Sequence, residues 1–468
     1  MARESLTADP AADAGPPADR AAGPPADRAA GPADVDPGGG PGGGSRAGAG
    51  SGVGWAARGA PELRVGPGVL AEAGAVLTAL RIRRPLLVTD PGVLAAGWPD
   101  RVAAVVRAAG LPVRIWAGIT AGPRVDAVDR CRDALLAGDH DGLLAVGGGS
   151  VLDVAKACSG LVPAGGSVLD HERLDGFAPP GPPVVAVPTT PCGGGEVSGH
   201  AVIATATGRR FAVGGRWLVP RAVLADPGTV ATTPAPVAAD TVIDSLLHAI
   251  EAYLARAASP YTDLLARAAV SAISTSAVPA LAGDGAAPAG SMTQLMTGCL
   301  TAGLAMANAN AGAVHALGYP LTSVYGISHG RANALVAGPV LRAMAAGRPD
   351  RYAELARLCT GPAAAGPPGP GPAAAGPSGT RWWGNVAAPA GDLAGAVEEL
   401  LGLLGVATGL AGHGVPAGDL PELARLAGGY GPVLRNAPVR LAAADLLRLY
   451  ELAWPAGDRV DRAREDDR

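Results

Sequence analysis

Aromatic residues are scarce in this chain, at 3% of 468 residues with only two phenylalanines. No stripe of basic residues interleaved with aromatic rings is present, and the formal charge of −4 is spread rather than blocked, which argues against nucleic acid as a partner. Cysteine is also sparse. Cys131, Cys158, Cys192, Cys299 and Cys359 form an odd, scattered set without metal spacing, so a disulfide framework is not expected and a reduced cytoplasm fits best. Apolar runs are broken by Gly, Pro or a charge before about eighteen residues, short of a membrane span, and a soluble protein is expected. The start, Met-Ala-Arg-Glu-Ser-Leu, is not followed by the apolar run of a signal peptide.

What the chain does have is 70 glycines, 44 prolines and 48% hydrophobic residues, enough for a large core and two or three domains. Residues 1–60 are dominated by Ala, Gly, Pro and Asp, and Ala14-Gly-Pro-Pro-Ala-Asp-Arg-Ala21 recurs at 22–29. Such a segment has little to bury and is expected to be a disordered tail. A second Ala/Gly/Pro tract, 361–380, reads as a flexible surface insertion. Residues 458–468 read as a charged tail.

Between these lie two unlike halves. From 61 to 237, short apolar runs at 85–90, 113–116, 142–146 and 183–187 read as buried parallel strands, and a shorter strand is expected near Leu63. Helical spacers at 70–80, 99–109 and 125–136 separate them, which predicts a doubly wound α/β dinucleotide-binding domain. From 238 to 457 the sequence has no convincing strand. Helices are expected at 238–256, 261–281, 291–307, 313–320, 393–404 and 442–452, an all-helical domain.

Gly147-Gly-Gly-Ser150 directly follows the strand ending at Val146 and precedes a helix, where bare backbone approaches a pyrophosphate and free N–H groups face it. In a chain this rich in glycine the triplet alone is as readily a plain turn. Asp90 ends the second strand of the unit, where a carboxylate accepts from ribose hydroxyls and repels a 2′-phosphate, favouring NAD over NADP. The competing reading is that Asp90 only opens the Asp-Pro-Gly turn.

Asp244 and His248 are four apart in Asp244-Ser-Leu-Leu-His248-Ala-Ile-Glu-Ala-Tyr253, which lacks Gly and Pro, so on a helix both project from one face. His315 opens His-Ala-Leu-Gly-Tyr-Pro and His329 closes Tyr-Gly-Ile-Ser-His-Gly. One carboxylate and three imidazoles suit a first-row divalent cation. Each histidine alone reads as easily as a core or surface residue. His140, His171, His200 and His413 lie outside these motifs. Glu251 and Tyr253 follow on the same helix, as partners for a ligating histidine or as structural residues.

In this order, Gly147-Gly-Gly-Ser-Val-Leu-Asp153-Val-Ala-Lys156, Pro188-Thr-Thr-Pro-Cys-Gly-Gly-Gly-Glu196, the Asp244/His248 pair and the His315/His329 pair resemble the iron-containing alcohol dehydrogenase family. The resemblance runs from about Glu62 to about Trp454. It implies a metal-dependent, NAD(P)-linked dehydrogenase of small alcohols and aldehydes that works as a dimer or larger assembly. It assigns Asp244, His248, His315 and His329 to Fe²⁺, with Zn²⁺ suited by the same ligands. It gives Gly148, Gly149 and Ser150 to the cofactor phosphates and Asp153 to the nicotinamide side. Arg210 stands where many relatives place a lysine near the cofactor.

Two departures from the family are visible. Pro-Thr-Thr-Ala-Gly-Thr-Gly-Ser-Glu is the usual second motif, so hydroxyls are lost at Gly193 and Gly195, leaving Thr189 and Thr190 as hydroxyl candidates. Many relatives carry His-Ala-x-x-His, whereas here Tyr319 follows His315. Tyr319 is a candidate for proton transfer beside His315 or simply a packing residue. The His315–Gly330 stretch looks most like the branch that includes phosphonoacetaldehyde reductases, and with Arg210 and Lys156 as anion holders it predicts a small anionic aldehyde as substrate. A hydroxyacid-oxoacid transhydrogenase, a maleylacetate-reductase-like enzyme, a lyase of the dehydroquinate-synthase-like plan and a degenerate nucleotide-binding protein are the alternatives.

Overall fold

The computed structural model describes residues 54–120, 122–172, 176–177, 179–282, 290–360 and 391–455. The insertion expected at 361–380, the charged tail expected at 458–468 and all of the tail before residue 54 lie outside the described residues. The first half forms strands β1 (Glu62–Val65), β2 (Pro85–Val88), β3 (Arg114–Trp116), β4 (Gly142–Gly147), β5 (Val184–Pro188), β6 (His200–Ala204), β7 (Arg210–Gly214) and β8 (Ala222–Ala225). Its helices are α1 (Ala73–Ala79), α2 (Pro91–Ala95), α3 (Trp98–Ala108), α4 (Val125–Ala137), α5 (Gly149–Ala164) and the short α6 (Pro227–Val230).

Six strands form one parallel sheet in the order β1-β8-β5-β4-β2-β3. Successive side chains of a strand point to opposite faces, so apolar runs of four or five residues supply two layers at once. Leu86, Val88, Leu143, Ala145, Val184 and Ala186 pack with Val128 and Cys131 of α4 and Val151 and Leu152 of α5. Leu87, Leu144, Val146, Val185 and Val187 face the other way, onto Val76 and Leu77 of α1 and Val102 and Val106 of α3. The sheet is therefore doubly wound, and its order reverses between β2 and β4, which are direct neighbours. That crevice is where such sheets bind ligands.

Three strands escape the sequence reading. β8, Ala222-Val-Leu-Ala225, is a short apolar run buried throughout that the sequence reading passes over. β6 and β7 form a separate antiparallel hairpin, pairing Ala204 with Arg210 and His200 with Gly214, whose half-exposed residues alternate instead of clustering.

The second half is helical among the described residues: α7 (Ala235–Leu254), α8 (Pro260–Leu281), α9 (Ser291–Ala309), α10 (Ala313–Tyr325), α11 (His329–Met344), α12 (Pro349–Thr360), α13 (Leu393–Leu403), α14 (Leu420–Gly428), α15 (Gly431–Asn436) and α16 (Ala443–Ala453). α10 runs five residues past Pro320, where the sequence reading ends it. Pro320 removes one helical hydrogen bond, and the buried Tyr450 hydroxyl donates to the neighbouring Leu317 carbonyl at 2.6 Å. The helix stops instead at Gly326, whose φ of 68° is left-handed. α11, which contains Pro339, is likewise absent from the sequence reading.

Two further features add to the sequence reading. α8 is long and apolar enough to cross a membrane by length and hydropathy, a case that counting unbroken apolar runs overlooks; 44% of that stretch is buried inside this fold. Residues 54–60, counted with the tail in the sequence reading, are among the described residues and touch the helical half. Trp55 stacks on Tyr261 of α8 with ring centroids 5.8 Å apart, and the Arg58 amide donates to Asn308 of α9 at 2.6 Å.

Candidate metal centre and nucleotide crevice

α7 carries Asp244, His248 and Glu251 on one face, as their spacing of four and three residues requires. α10 brings His315 in its first turn, and α11 begins at His329. The four sequence-predicted ligands meet: one ligand atom from each lies within 4.8 Å of all the others. Around the Asp244 carboxylate stand the Nε2 atoms of His315 at 3.6 Å, His248 at 3.7 Å and His329 at 3.9 Å. Asp244, His248 and His315 are buried, and His329 is the one partly open to solvent.

The donor set fits a divalent cation. His315 Nε2 is buried without any hydrogen-bond partner although it aims into the cluster, and such an orphan is uncommon unless something else satisfies it. Burial opposes a charge on Asp244, but the surrounding imidazoles overcome this and keep it ionised far below the usual carboxylate range. Burial pushes His248 down to about 4 and also lowers His329, leaving both neutral with lone pairs to share. His315 behaves differently: burial is outweighed by the Glu251 and Asp244 carboxylates, which lift it to about 10.

One supporting residue, Asn333, was not named by the sequence reading. Asn333, one turn after His329 on α11, donates from Nδ2 to Asp244 Oδ1 at 2.7 Å and fixes that carboxylate's orientation. Gly318 makes this possible, because a Cβ there would fall 1.9 Å from the Asn333 side-chain oxygen. Glu251, read as ligand partner or structural residue, accepts from His315 Nδ1 at 2.5 Å. Tyr253 turns away, donating to Glu354 at 2.5 Å. Tyr319 stacks on His329 at 5.6 Å and leans on Tyr430 at 4.8 Å, and burial raises its phenol well above the ordinary value. Burial and the neighbouring carboxylates favour its protonated form, with the ring packed on that of His329.

The crevice between β2 and β4 holds the other predicted residues. Gly147 ends β4 and Gly148 precedes α5; a side chain at Gly147 would strike Val151 at 2.4 Å, while at Gly149 there is open space. The amides of Gly149 and Ser150 therefore sit at the open start of a sixteen-residue helix. Asp90 caps α2, its Oδ1 accepting from the Val93 amide at 2.9 Å, as the turn reading anticipates. Thr189 is buried beside Gly147, its amide donating to the Gly147 carbonyl at 3.2 Å, and Thr190 lies within reach of Gly148.

Lys156 overturns its sequence assignment as an anion holder. It is the chain's one lysine and is fully buried. Its ammonium donates to the carbonyls of Gly195, at 2.9 Å, and His200, and pairs with Asp153 Oδ1 at 3.3 Å. It bolts the loop before β6 to α5. Asp153 in turn accepts from the Val202 amide at 3.1 Å. Arg210 remains exposed at the start of β7, and its charge favours the ionised form of Asp153 and the neutral form of His329.

The altered loop holds its shape without the lost hydroxyls. Glu196 accepts from the amides of Gly193, at 3.3 Å, and Gly194, at 2.9 Å, and Ser245 of α7 donates to the Cys192 carbonyl at 2.9 Å. Cys192 adopts a left-handed φ of 70° and Gly194 one of 90°. Gly194 lies beside His248.

The family description "iron-containing alcohol dehydrogenase" matches residues 60–227, and its C-terminal counterpart matches residues 238–454. The chain belongs to this family. It is an oxidoreductase acting on alcohols, and the four converging side chains form a possible site for a metal ion. It is 30% identical over 84% of its length to long-chain-alcohol dehydrogenase 1 of Geobacillus thermodenitrificans, covering 95% of that protein. It is 28% identical to sulfoacetaldehyde reductase of Bilophila wadsworthia, over 84% of this chain and 97% of that one. Among solved structures, a 1,3-propanediol oxidoreductase superposes with a TM-score of 0.75 at 27% identity, over 85% of this chain and 99% of that one.

Proposed function

We propose that the enzyme is an NAD-linked, metal-dependent reductase of a small aldehyde bearing an anionic group, with phosphonoacetaldehyde as the first candidate. The observation that carries this reading is the placement of Arg210, exposed on β7 with its charge felt at His329. The likeness to a sulfoacetaldehyde reductase supports an anionic aldehyde as the substrate class. A bound cation supplies a Lewis acid for the carbonyl oxygen, and a bound nicotinamide supplies the hydride.

The chain's own residues do the rest. The amides of Gly149 and Ser150 receive the cofactor phosphates, Thr189 and Thr190 offer hydroxyl and backbone groups beside them, and Asp90 selects an unphosphorylated ribose. Asp153 and Arg210 flank the nicotinamide side. Asp244, His248, His315 and His329 hold the cation and so place the carbonyl, while the Arg210 guanidinium holds the anionic end. With Lys156 withdrawn into the interior, that task falls to Arg210. Five free, buried thiols accord with a reduced cytoplasm. The same reading includes a homodimer or larger assembly, which mass photometry tests.

The deciding assay follows NADH oxidation with phosphonoacetaldehyde, sulfoacetaldehyde, unsubstituted alkyl aldehydes and 2-oxoglutarate plus a hydroxyacid donor, at matched metal loading. Arg210→Gln should raise KM for the anionic aldehydes about tenfold or more, roughly 1.4 kcal/mol, and leave acetaldehyde nearly unaffected. A wild-type enzyme that prefers alkyl aldehydes tenfold would reject the anionic substrate and leave the dehydrogenase class standing.

A further inference from the structure

Glu251 is 2% exposed, and its two carboxylate oxygens accept three donors. Oε1 takes the Val314 amide at 2.6 Å, and Oε2 takes the Gly312 amide at 3.0 Å and His315 Nδ1 at 2.5 Å. Two of these donors are backbone groups at the start of α10, which no helical carbonyl can satisfy. The third is the ring of a metal ligand. Gly312 allows the approach, since a Cβ there would lie 2.9 Å from Glu251 Oε1.

We propose that Glu251 is a positioning residue that makes the seating of α10 and the coordinating tautomer of His315 a single structural event. The proposal rests on the metal-centre reading above. A carboxylate only accepts. Facing it, His315 must present N–H at Nδ1, so Nε2 is the nitrogen that a bound cation would take, in place of its proton, on the side of Asp244, His248 and His329. Because the same oxygens hold Gly312 and Val314, the ring cannot turn without uncapping the helix that carries it. Asp244 and His248 need no such device on α7, where the helix itself sets their spacing. His315 comes from a different helix, and Glu251 is the side chain that ties its ring back to α7.

Glu251→Gln tests this at constant shape. An amide has one acceptor oxygen for three donors, so its NH2 group must face either a backbone N–H or His315 Nδ1. Facing Nδ1 it donates, and the ring proton moves to Nε2, where it blocks coordination. Competition with a chelating dye should show Zn²⁺ affinity reduced about tenfold to a hundredfold, together with a lowered melting temperature of the metal-stripped protein, while far-ultraviolet circular dichroism stays close to wild type. A lowered apo melting temperature with unchanged Zn²⁺ affinity would make Glu251 a helix cap only and overturn the proposal.

A second measurement stands even where the variant fails to fold. In the zinc-loaded wild-type enzyme labelled with 15N-histidine, His315 should give a slowly exchanging, downfield Nδ1–H resonance, assigned by its loss in His315→Gln. Its absence overturns the proposal. Wild-type protein that binds neither Zn²⁺ nor Fe²⁺ would instead remove the metal centre itself, so the two failures are distinguishable.

Discussion

Gly303 on α9 approaches Gly194 so closely that a Cβ added to it would lie 2.5 Å from the Gly194 Cα. Gly194 belongs to the loop after β5 at the mouth of the nucleotide crevice, and it also lies beside His248. This backbone contact therefore sets the distance between the loop and α9, and the same loop residue lies against His248 of α7. Gly303→Ala cannot be relieved by a flexible side chain, since the clash is with main chain. It should cost about 1–3 kcal/mol of stability and reduce turnover more than metal content, read by thermal melting, metal analysis and steady-state kinetics. Wild-type turnover in Gly303→Ala would show the contact to be without consequence.

Removing one imidazole tests the metal centre most directly. His248→Ala and His329→Ala should each lose most of the bound metal, which elemental analysis of wild type should place near one ion per chain, and with it the NADH-linked activity. Full activity in a thoroughly chelated, metal-free wild-type sample would refute the metal-dependent mechanism.

Asp90 has two tasks that substitution can separate. Asp90→Ser keeps an oxygen to cap α2 and so should cost only a few tenths of a kcal/mol, while it removes the carboxylate that repels a 2′-phosphate. The ratio of kcat/KM for NADH over NADPH should fall severalfold in this variant. If wild type already uses the two cofactors equally, Asp90 serves the helix alone.

The docking of Trp55 divides the tail. Removing residues 1–53 should leave the melting temperature unchanged. Removing 1–60, or Trp55→Ala, takes away the stack on Tyr261, about 0.5–1.5 kcal/mol before allowance for its half-exposed position. A drop of about 1–2 °C is expected in a chain of this size. Equal melting of the two truncations would show that Trp55 does not hold the tail.

Much of the site was legible before any fold was known, because local geometry is enough for some of its parts. Asp244 and His248 are neighbours on any helix by their spacing, and Gly147-Gly-Gly-Ser150 is marked by the apolar run before it. The doubly wound core was legible for the same reason: a strand buried on both faces is apolar throughout. What the sequence by itself determined was the kind of element for most of the chain and which four side chains were candidates to converge. It left open which partner each polar side chain takes. Lys156 and Arg210 are both cations, yet only packing decided that the first is spent on Gly195, His200 and Asp153 and the second stays exposed. Glu251 and Tyr253 lie two apart on one helix, and only the arrival of α10 on one side and α12 on the other gave the first to His315 and the second to Glu354. Hydrogen bonds are made over about 3 Å between residues sixty or a hundred positions apart, a distance that one-dimensional periodicity does not encode and only the tertiary structure decides.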